Sequence, residues 1–315
     1  MTKLIIHIGA HKTGTTAVQK CFDENRKALQ SLGVTYPRTN WFHHSQHRLA
    51  FALKGMRDPA ARDFPDIERE TDALNAAIEL AGTPQVMISS EEFFSCKPDQ
   101  IARFEAALHV DDIEVVATVR RPDTLLVSMY NQKAKQPNNG FKRLIQHFVD
   151  APRTLDPDMR SWDCISNWRS AMTSNLTLLQ YENGPAIEQV LGVLGLPADA
   201  LPPFDRVNES VPGAVVEVMR MGKAMDLSEP VQQKLFWLAN HLLQDRPPYY
   251  LKPTDRKKVI ETFEAENNEL FGAFGLENPY TVASYTPDPD EKQRQNMAFR
   301  DLMVILADVL ENDAP

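Results

Sequence analysis

The chain reads as an α/β protein: a mostly parallel sheet flanked by helices, followed by a helical C-terminal extension. Three observations predict this. Over residues 1–200, four short apolar runs alternate with stretches of helical periodicity, and strands joined through helices run parallel. The first run ends at Gly9, in a turn bearing Gly and Thr that opens directly into a helix. Beyond Pro202 the strand signals stop and only helical patterns remain.

Taken in order, residues 4–8 are apolar and β-branched and end at Gly9, as a short buried strand does. Residues 15–32 place Val18, Phe22 and Leu29 at helical spacing, and Gly33 stops them. Residues 36–51 form a region of turns and aromatics. A helix is expected over 67–81, a second buried strand over 85–89 and a helix over 101–108. Residues 113–119 carry the strongest strand signal of the chain. Pro122 opens a further helix, near enough to its start that the missing N–H costs little. Then come a helix over 165–173, a strand over 176–180 and a helix over 187–194 that Gly195 ends. The extension is read as helices over 215–225, 231–243, 256–271 and 291–310. Proline pairs at Pro202-Pro203 and Pro247-Pro248, and the Pro287-Asp288-Pro289 segment, are turns between them. The expected organisation is a core over residues 1–200 with an extension over 201–315 packed on it as one domain.

Charge narrows the function classes. With 34 Lys and Arg against 43 Asp and Glu, the net charge is −9. A general nucleic-acid binder needs the opposite surplus to displace counterions from phosphates. A small anionic ligand is not excluded, because a few backbone N–H groups and one or two cations suffice for it. Cys21, Cys96 and Cys164 are widely spaced and read as reduced thiols. The N-terminal residues lack the long apolar region of a signal peptide, and no apolar stretch approaches membrane-spanning length. The expectation is a soluble, cytoplasmic protein with no membrane span.

The segment Gly9-Ala10-His11-Lys12-Thr13-Gly14-Thr15-Thr16 joins the first strand to the first helix. Its glycines permit a tight turn and close approach to a ligand, and the first N–H groups of the helix then point at an anion. Thr15 and Thr16 offer hydroxyls, and Lys12 can reach across the loop. The spacing departs from the Walker pattern GxxxxGK[ST], because Thr15 stands where that pattern has its Lys. Nor does an apolar strand end in an Asp suited to Mg²⁺. The loop suits phosphate but is not built like that of an ATPase.

His11-Lys12-Thr13-Gly14-Thr15-Thr16 resembles the 5′-phosphosulfate loop of the sulfotransferases that use 3′-phosphoadenosine 5′-phosphosulfate (PAPS). A second resemblance lies after the strand over 113–119, where Arg120-Arg121-Pro122 is followed by Ser128, eight positions beyond Arg120. In that family such an Arg and Ser clasp the 3′-phosphate. A weaker third match is Tyr181-Glu182, similar to the family's strand-end Tyr-Glu, whose Tyr lies near the adenine. Together the matches span residues 4–182. The glycine-rich C-terminal nucleotide loop of the animal cytosolic members is absent, so the chain looks more like the bacterial and carbohydrate-type branches. The resemblance implies a three-layer core like that of the phosphate-loop nucleotide kinases. It also implies PAPS as donor, adenosine 3′,5′-bisphosphate (PAP) as product, a hydroxyl of a carbohydrate or other small molecule as acceptor, and no required metal. His11, Lys12, Thr13, Gly14, Thr15, Thr16, Arg120, Ser128 and Tyr181 are then the donor-binding candidates.

Sulfuryl transfer needs a cation where charge builds on the leaving phosphate, which assigns that role to Lys12. It also needs a base for the acceptor hydroxyl. Glu91 follows the strand over 85–89, at the sheet edge where ligands of such folds bind. The rival is the cluster His43-His44-Ser45-Gln46-His47, with His47 favoured because it abuts a helical-looking stretch. Zinc would want a Cys or carboxylate at fitting spacing beside these histidines, and none is there. Arg121 is read as lining the site, and Trp162 and Trp168 as core. Two other classes stay open on sequence: an ATP-dependent small-molecule or nucleotide kinase, and a non-catalytic nucleotide-binding relative.

Overall fold

The computed structural model describes residues 2–110, 112–136, 139–172, 174–204, 211–243 and 251–286. In chain order these fold as β1 (Lys3–His7), α1 (Thr15–Glu24), α2 (Arg26–Ser31), β2 (Val34–Thr35), α3 (His47–Lys54), α4 (Ile67–Glu79), β3 (Gln85–Ser89), α5 (Pro98–Ala107) and β4 (Ile113–Val119). They continue with α6 (Pro122–Lys135), α7 (Ile145–Asp150), α8 (Ser161–Ala171), β5 (Asn175–Gln180), α9 (Ala186–Val193), α10 (Gly213–Ala224), α11 (Glu229–Leu243) and α12 (Pro253–Gly272). The helix expected over 291–310 lies outside the described residues. No helix among those described is long and apolar enough to cross a membrane.

The five strands form one sheet in the order β2-β3-β1-β4-β5, with every pair parallel. The α/β architecture read from the sequence is therefore the one observed. β1 lies at the centre, and its neighbours β3 and β4 are buried along almost their whole length. Alternation sends Ile5, Met87 and Val116 to one face, where they pack with Val18, Cys21 and Phe22 of α1 and with Val190 and Leu191 of α9. The residues between them point to the other side. There α5 and α8 pack on each other. Phe93 lies 6.3 Å from both the Phe104 and Trp168 rings, and the Trp168 indole N–H donates to the Phe93 carbonyl at 3.1 Å. Trp168 is thus the core residue expected of it, while Trp162 is only half-buried.

Two expected boundaries change. The continuous helix over 15–32 is two helices, broken at Asn25, whose side chain donates to the Cys21 carbonyl at 2.9 Å and caps α1. The turn region over 36–51 gives way at His47 to a true helix, ended by Gly55.

The chain divides into two compact units. One comprises residues 1–121, 160–207 and 269–277 and contains the sheet. The other comprises residues 122–159, 208–268 and 278–315. The segment 122–159, which the sequence reading groups with the core, falls in this second unit. Its interior is built from Leu125, Leu126, Met129 and Tyr130 of α6, Phe148 and Val149 of α7, Val216 of α10, and Val259 and Phe263 of α12. Asp123, fully buried, accepts from Arg256 at 2.7 Å within it.

Candidate active site

In a parallel sheet all strands release their chain at the same edge, and ligands of open α/β folds bind there. Here that edge collects the loop after β1, Ser90–Glu92 after β3, Arg120 after β4 and Tyr181 after β5. Residues more than 100 positions apart in sequence meet as a result.

The loop after β1 is tightly built. The Ile8 and Ala10 N–H groups donate to the Val116 and Thr118 carbonyls, extending the β1–β4 ladder past the strand end. Gly9 has no room for a side chain: a Cβ there would lie 2.9 Å from the Thr15 methyl and 3.1 Å from the His7 ring. Thr13 is buried, and its hydroxyl donates to the Ala10 carbonyl. Lys12 adopts a left-handed backbone at φ 68°, uncommon for a residue with a side chain and characteristic of functional turns. Gly14 caps α1 at φ 86°, and a Cβ on it would meet the Ala186 methyl at 2.8 Å. Thr15 is buried, whereas Thr16 is exposed at the first turn of the helix. The structure thus gives a strand, a close turn and a helix start with its leading N–H groups presented together.

Arg120 leaves β4 and returns to this loop. Its guanidinium donates to the Lys12 carbonyl at 2.7 Å and lies over the Tyr181 ring, 4.3 Å from its centre. Arg121 sits beside it, its N–H donating to the Glu182 carboxylate at 3.0 Å. Lys12, Arg120 and Tyr181, taken from three separate stretches of sequence, are therefore one cluster. Ser128 belongs to the second unit, half-buried about two turns into α6.

The stretch after β3 carries the titratable groups. Ser90, buried, accepts from the Glu92 N–H at 3.1 Å and lies 2.7 Å from His47 Nδ1. With Nδ1 paired to the Ser90 hydroxyl, Nε2 is the His47 nitrogen that is left to face the strand edge. That nitrogen faces Glu91 Oε2 at 3.8 Å. Burial pulls the His47 pKa down, against the attraction of Glu91 and Glu92, so its neutral form is favoured. Glu91 and His47, read from sequence as rivals for one role, are neighbours. Phe42 and Phe51 wall the His47 ring at about 6 Å.

The histidine cluster does not converge. His44 turns away to the Asp23 carboxylate at 2.6 Å, where Arg38 also binds, and His43 is exposed beside Phe42. Only His47 joins the site.

Four partners escaped the sequence reading. Gln19 donates from Nε2 to Glu91 Oε2 at 2.9 Å and to Ser89 Oγ at 3.2 Å. Its signal was present: it interrupts the apolar stripe of α1 between Val18 and Phe22. His7 is fully buried, with Nδ1 2.9 Å from Ser89 Oγ, and burial lowers its pKa to about 4. Glu92 is bound by Lys54 at 2.7 Å and by His11 at 3.5 Å. Burial alone would raise its pKa, but His11 and Lys54 outweigh it and bring the carboxyl down to about 2. His7, Glu92 and Lys54 gave no signal, since His7 meets Ser89 only where β1 pairs with β3, and Lys54 meets Glu92 only where α3 packs at the end of β3.

No family model matches the chain. It is similar to an uncharacterized protein of Archaeoglobus fulgidus, with 24% identity over 214 residues. That match covers 63% of this chain and 56% of the relative, so the chain spans little more than half the length of the curated protein it matches.

Proposed function

We propose that this protein transfers a sulfuryl group from PAPS to a hydroxyl of a carbohydrate or other small-molecule acceptor. The observation that carries the reading is the meeting of Lys12, Arg120 and Tyr181 at one strand edge. Each was singled out by a different stretch of resemblance, and they lie over 100 residues apart at the extremes. In this reading the loop N–H groups and Thr16 hold the 5′-phosphosulfate, and the Tyr181 ring lies by the adenine. Arg120 is the cation for the 3′-phosphate. The acceptor oxygen bonds to sulfur as the bond from sulfur to the bridging oxygen breaks. The electron pair stays on that oxygen, where Lys12 meets the charge, and PAP leaves. The acceptor's proton passes to Glu91, whose Oε2 accepts from Gln19 at 2.9 Å and faces His47 Nε2 at 3.8 Å.

Calorimetric titration of PAP and of AMP tests the donor half. PAP should bind more tightly, and Arg120→Ala should remove most of the difference. A charge-assisted Arg contact contributes roughly 1.5–3 kcal/mol, about tenfold to a hundredfold in affinity. Equal affinities in the unaltered protein overturn the reading. Transfer of label from PAPS to a panel of hydroxyl acceptors tests the chemical half, and Mg²⁺-dependent ATP turnover in its place would return a kinase.

A further inference from the structure

We infer that Gln19 is a positioning residue which ties Glu91 to the helix rising from the phosphate loop, so that the donor and acceptor ends of the site are held by one rigid element. The inference rests on the sulfuryl-transfer reading for its catalytic meaning and on geometry for its substance.

Gln19 is 2% exposed, on the face of α1 that packs against the sheet. A buried primary amide there needs a reason, because its polar atoms lose water on folding. Its NH₂ carries two hydrogens and finds two acceptors, Glu91 Oε2 at 2.9 Å and Ser89 Oγ at 3.2 Å. The amide's orientation is fixed by this pair, since the reverse would set a carbonyl oxygen against a carboxylate. Ser89 Oγ, accepting from Gln19, is also hydrogen-bonded to His7 Nδ1 at 2.9 Å. The other His7 nitrogen, Nε2, faces Thr118 Oγ1 at 3.5 Å. A line of hydrogen bonds thus runs Glu91–Gln19–Ser89–His7 across α1, β3 and β1.

The position along α1 matters as much as the bonds. The helix starts at Thr15, capped by Gly14, and Gln19 stands four residues on, about 6 Å along the axis. Val18 and Phe22 lock this stretch against Ile5, Met87 and Val116. The backbone N–H groups suited to the donor and the amide that holds Glu91 therefore belong to one inflexible turn and a half of helix. The two Gln19 hydrogen bonds fall on Glu91 Oε2 and Ser89 Oγ, and among the described residues none reaches Glu91 Oε1. That oxygen is the one left to take the acceptor's proton.

Two variants test this. Gln19→Met keeps the length and apolar volume of the side chain and deletes the donor. Gln19→Glu keeps a polar tip and adds a charge beside Glu91. In both, PAP affinity should stay within threefold, because the loop is untouched. Gln19→Met should lower kcat tenfold or more at unchanged KM for PAPS, and in Gln19→Glu the acid-side fall of the pH–rate profile should move to higher pH. A purely structural role would move neither ratio nor profile. A third readout needs no turnover: the His47 ring, followed by NMR, should titrate at higher pH in Gln19→Glu than in the unaltered protein. Active protein in which Gln19→Met retains full kcat overturns the inference and leaves the sulfotransfer reading standing. Unaltered protein without sulfotransfer, but with the His47 shift, sinks the function and keeps the Gln19–Glu91 linkage. An unmoved His47 titration overturns the linkage itself.

Discussion

A buried neutral histidine at the centre of a sheet makes a fold acid-sensitive, and His7 allows the size of that effect to be worked out. Burial lowers its pKa from 6.5 to about 4. A folded-state value below the unfolded one means that the unfolded chain binds the extra proton between these limits. Stability contributed by keeping His7 neutral is thus complete above pH 6.5 and is lost as pH falls toward 4. Each pH unit between those two values is worth ~1.4 kcal/mol, so about 3 kcal/mol should vanish between pH 7 and pH 4. His7→Asn keeps an amide near the Nδ1 position to face Ser89 and cannot titrate. It should be less stable at pH 7, since it removes ring volume from a packed site, yet lose less with acid. Glu92 adds acid sensitivity of the same sign, because its folded pKa is held down to about 2 and its stabilisation fades as pH falls through the ordinary carboxylate range. That contribution is common to both proteins and cancels in the comparison. Urea unfolding at pH 7, 5.5 and 4 measures both proteins. Parallel pH dependences refute the assignment of a neutral, buried His7, as does an NMR titration that finds its ring charged at pH 5.5.

Three further outcomes are expected. Gly14→Ala forces a side chain into a left-handed cap, at roughly 1–2 kcal/mol, and drives a methyl to 2.8 Å from Ala186; thermal unfolding should show a clear loss, and an unchanged Tm counts against the loop geometry. Lys12→Ala should leave the circular dichroism spectrum intact and lower sulfuryl transfer on the order of 10²–10³-fold, whereas full turnover removes Lys12 from the mechanism. Glu91→Gln should depress turnover far more than PAP affinity; if it is fully active while His47→Ala is dead, the base is His47.

β1, β3 and β4 were legible because each carries a run of buried apolar residues, several of them β-branched, flanked by turn signals, and residues 85–89 and 113–119 are strands at the positions read. β2 was not, since two residues hold no alternation. The break in the first helix was hidden for a related reason. Phe22 and Leu29 stay in phase across Asn25, and only a side-chain bond to the Cys21 carbonyl ends the helix there. In the site, the loop after β1, Arg120 and Tyr181 were visible as motifs. The environment of Glu91 was not, because Gln19 and His47 reach it from two different helices.

The adjacent carboxylates illustrate what only the fold can decide. In sequence Glu91 and Glu92 are indistinguishable, one residue apart at the start of the same 3-10 turn. Neighbours on a chain direct their side chains differently, and here the two enter different surroundings. Glu92 meets two basic side chains, Lys54 and His11, and is fixed as a carboxylate that braces α3 against the loop after β1. A group so tightly paired is a poor proton acceptor, since taking a proton would forfeit both partners. Glu91 meets an amide and a neutral imidazole, which orient it without full charge compensation. Exchanging a proton at Glu91 therefore breaks no ion pair. Environment, not residue type, ties one carboxylate to a lysine and leaves the other beside an amide and an imidazole.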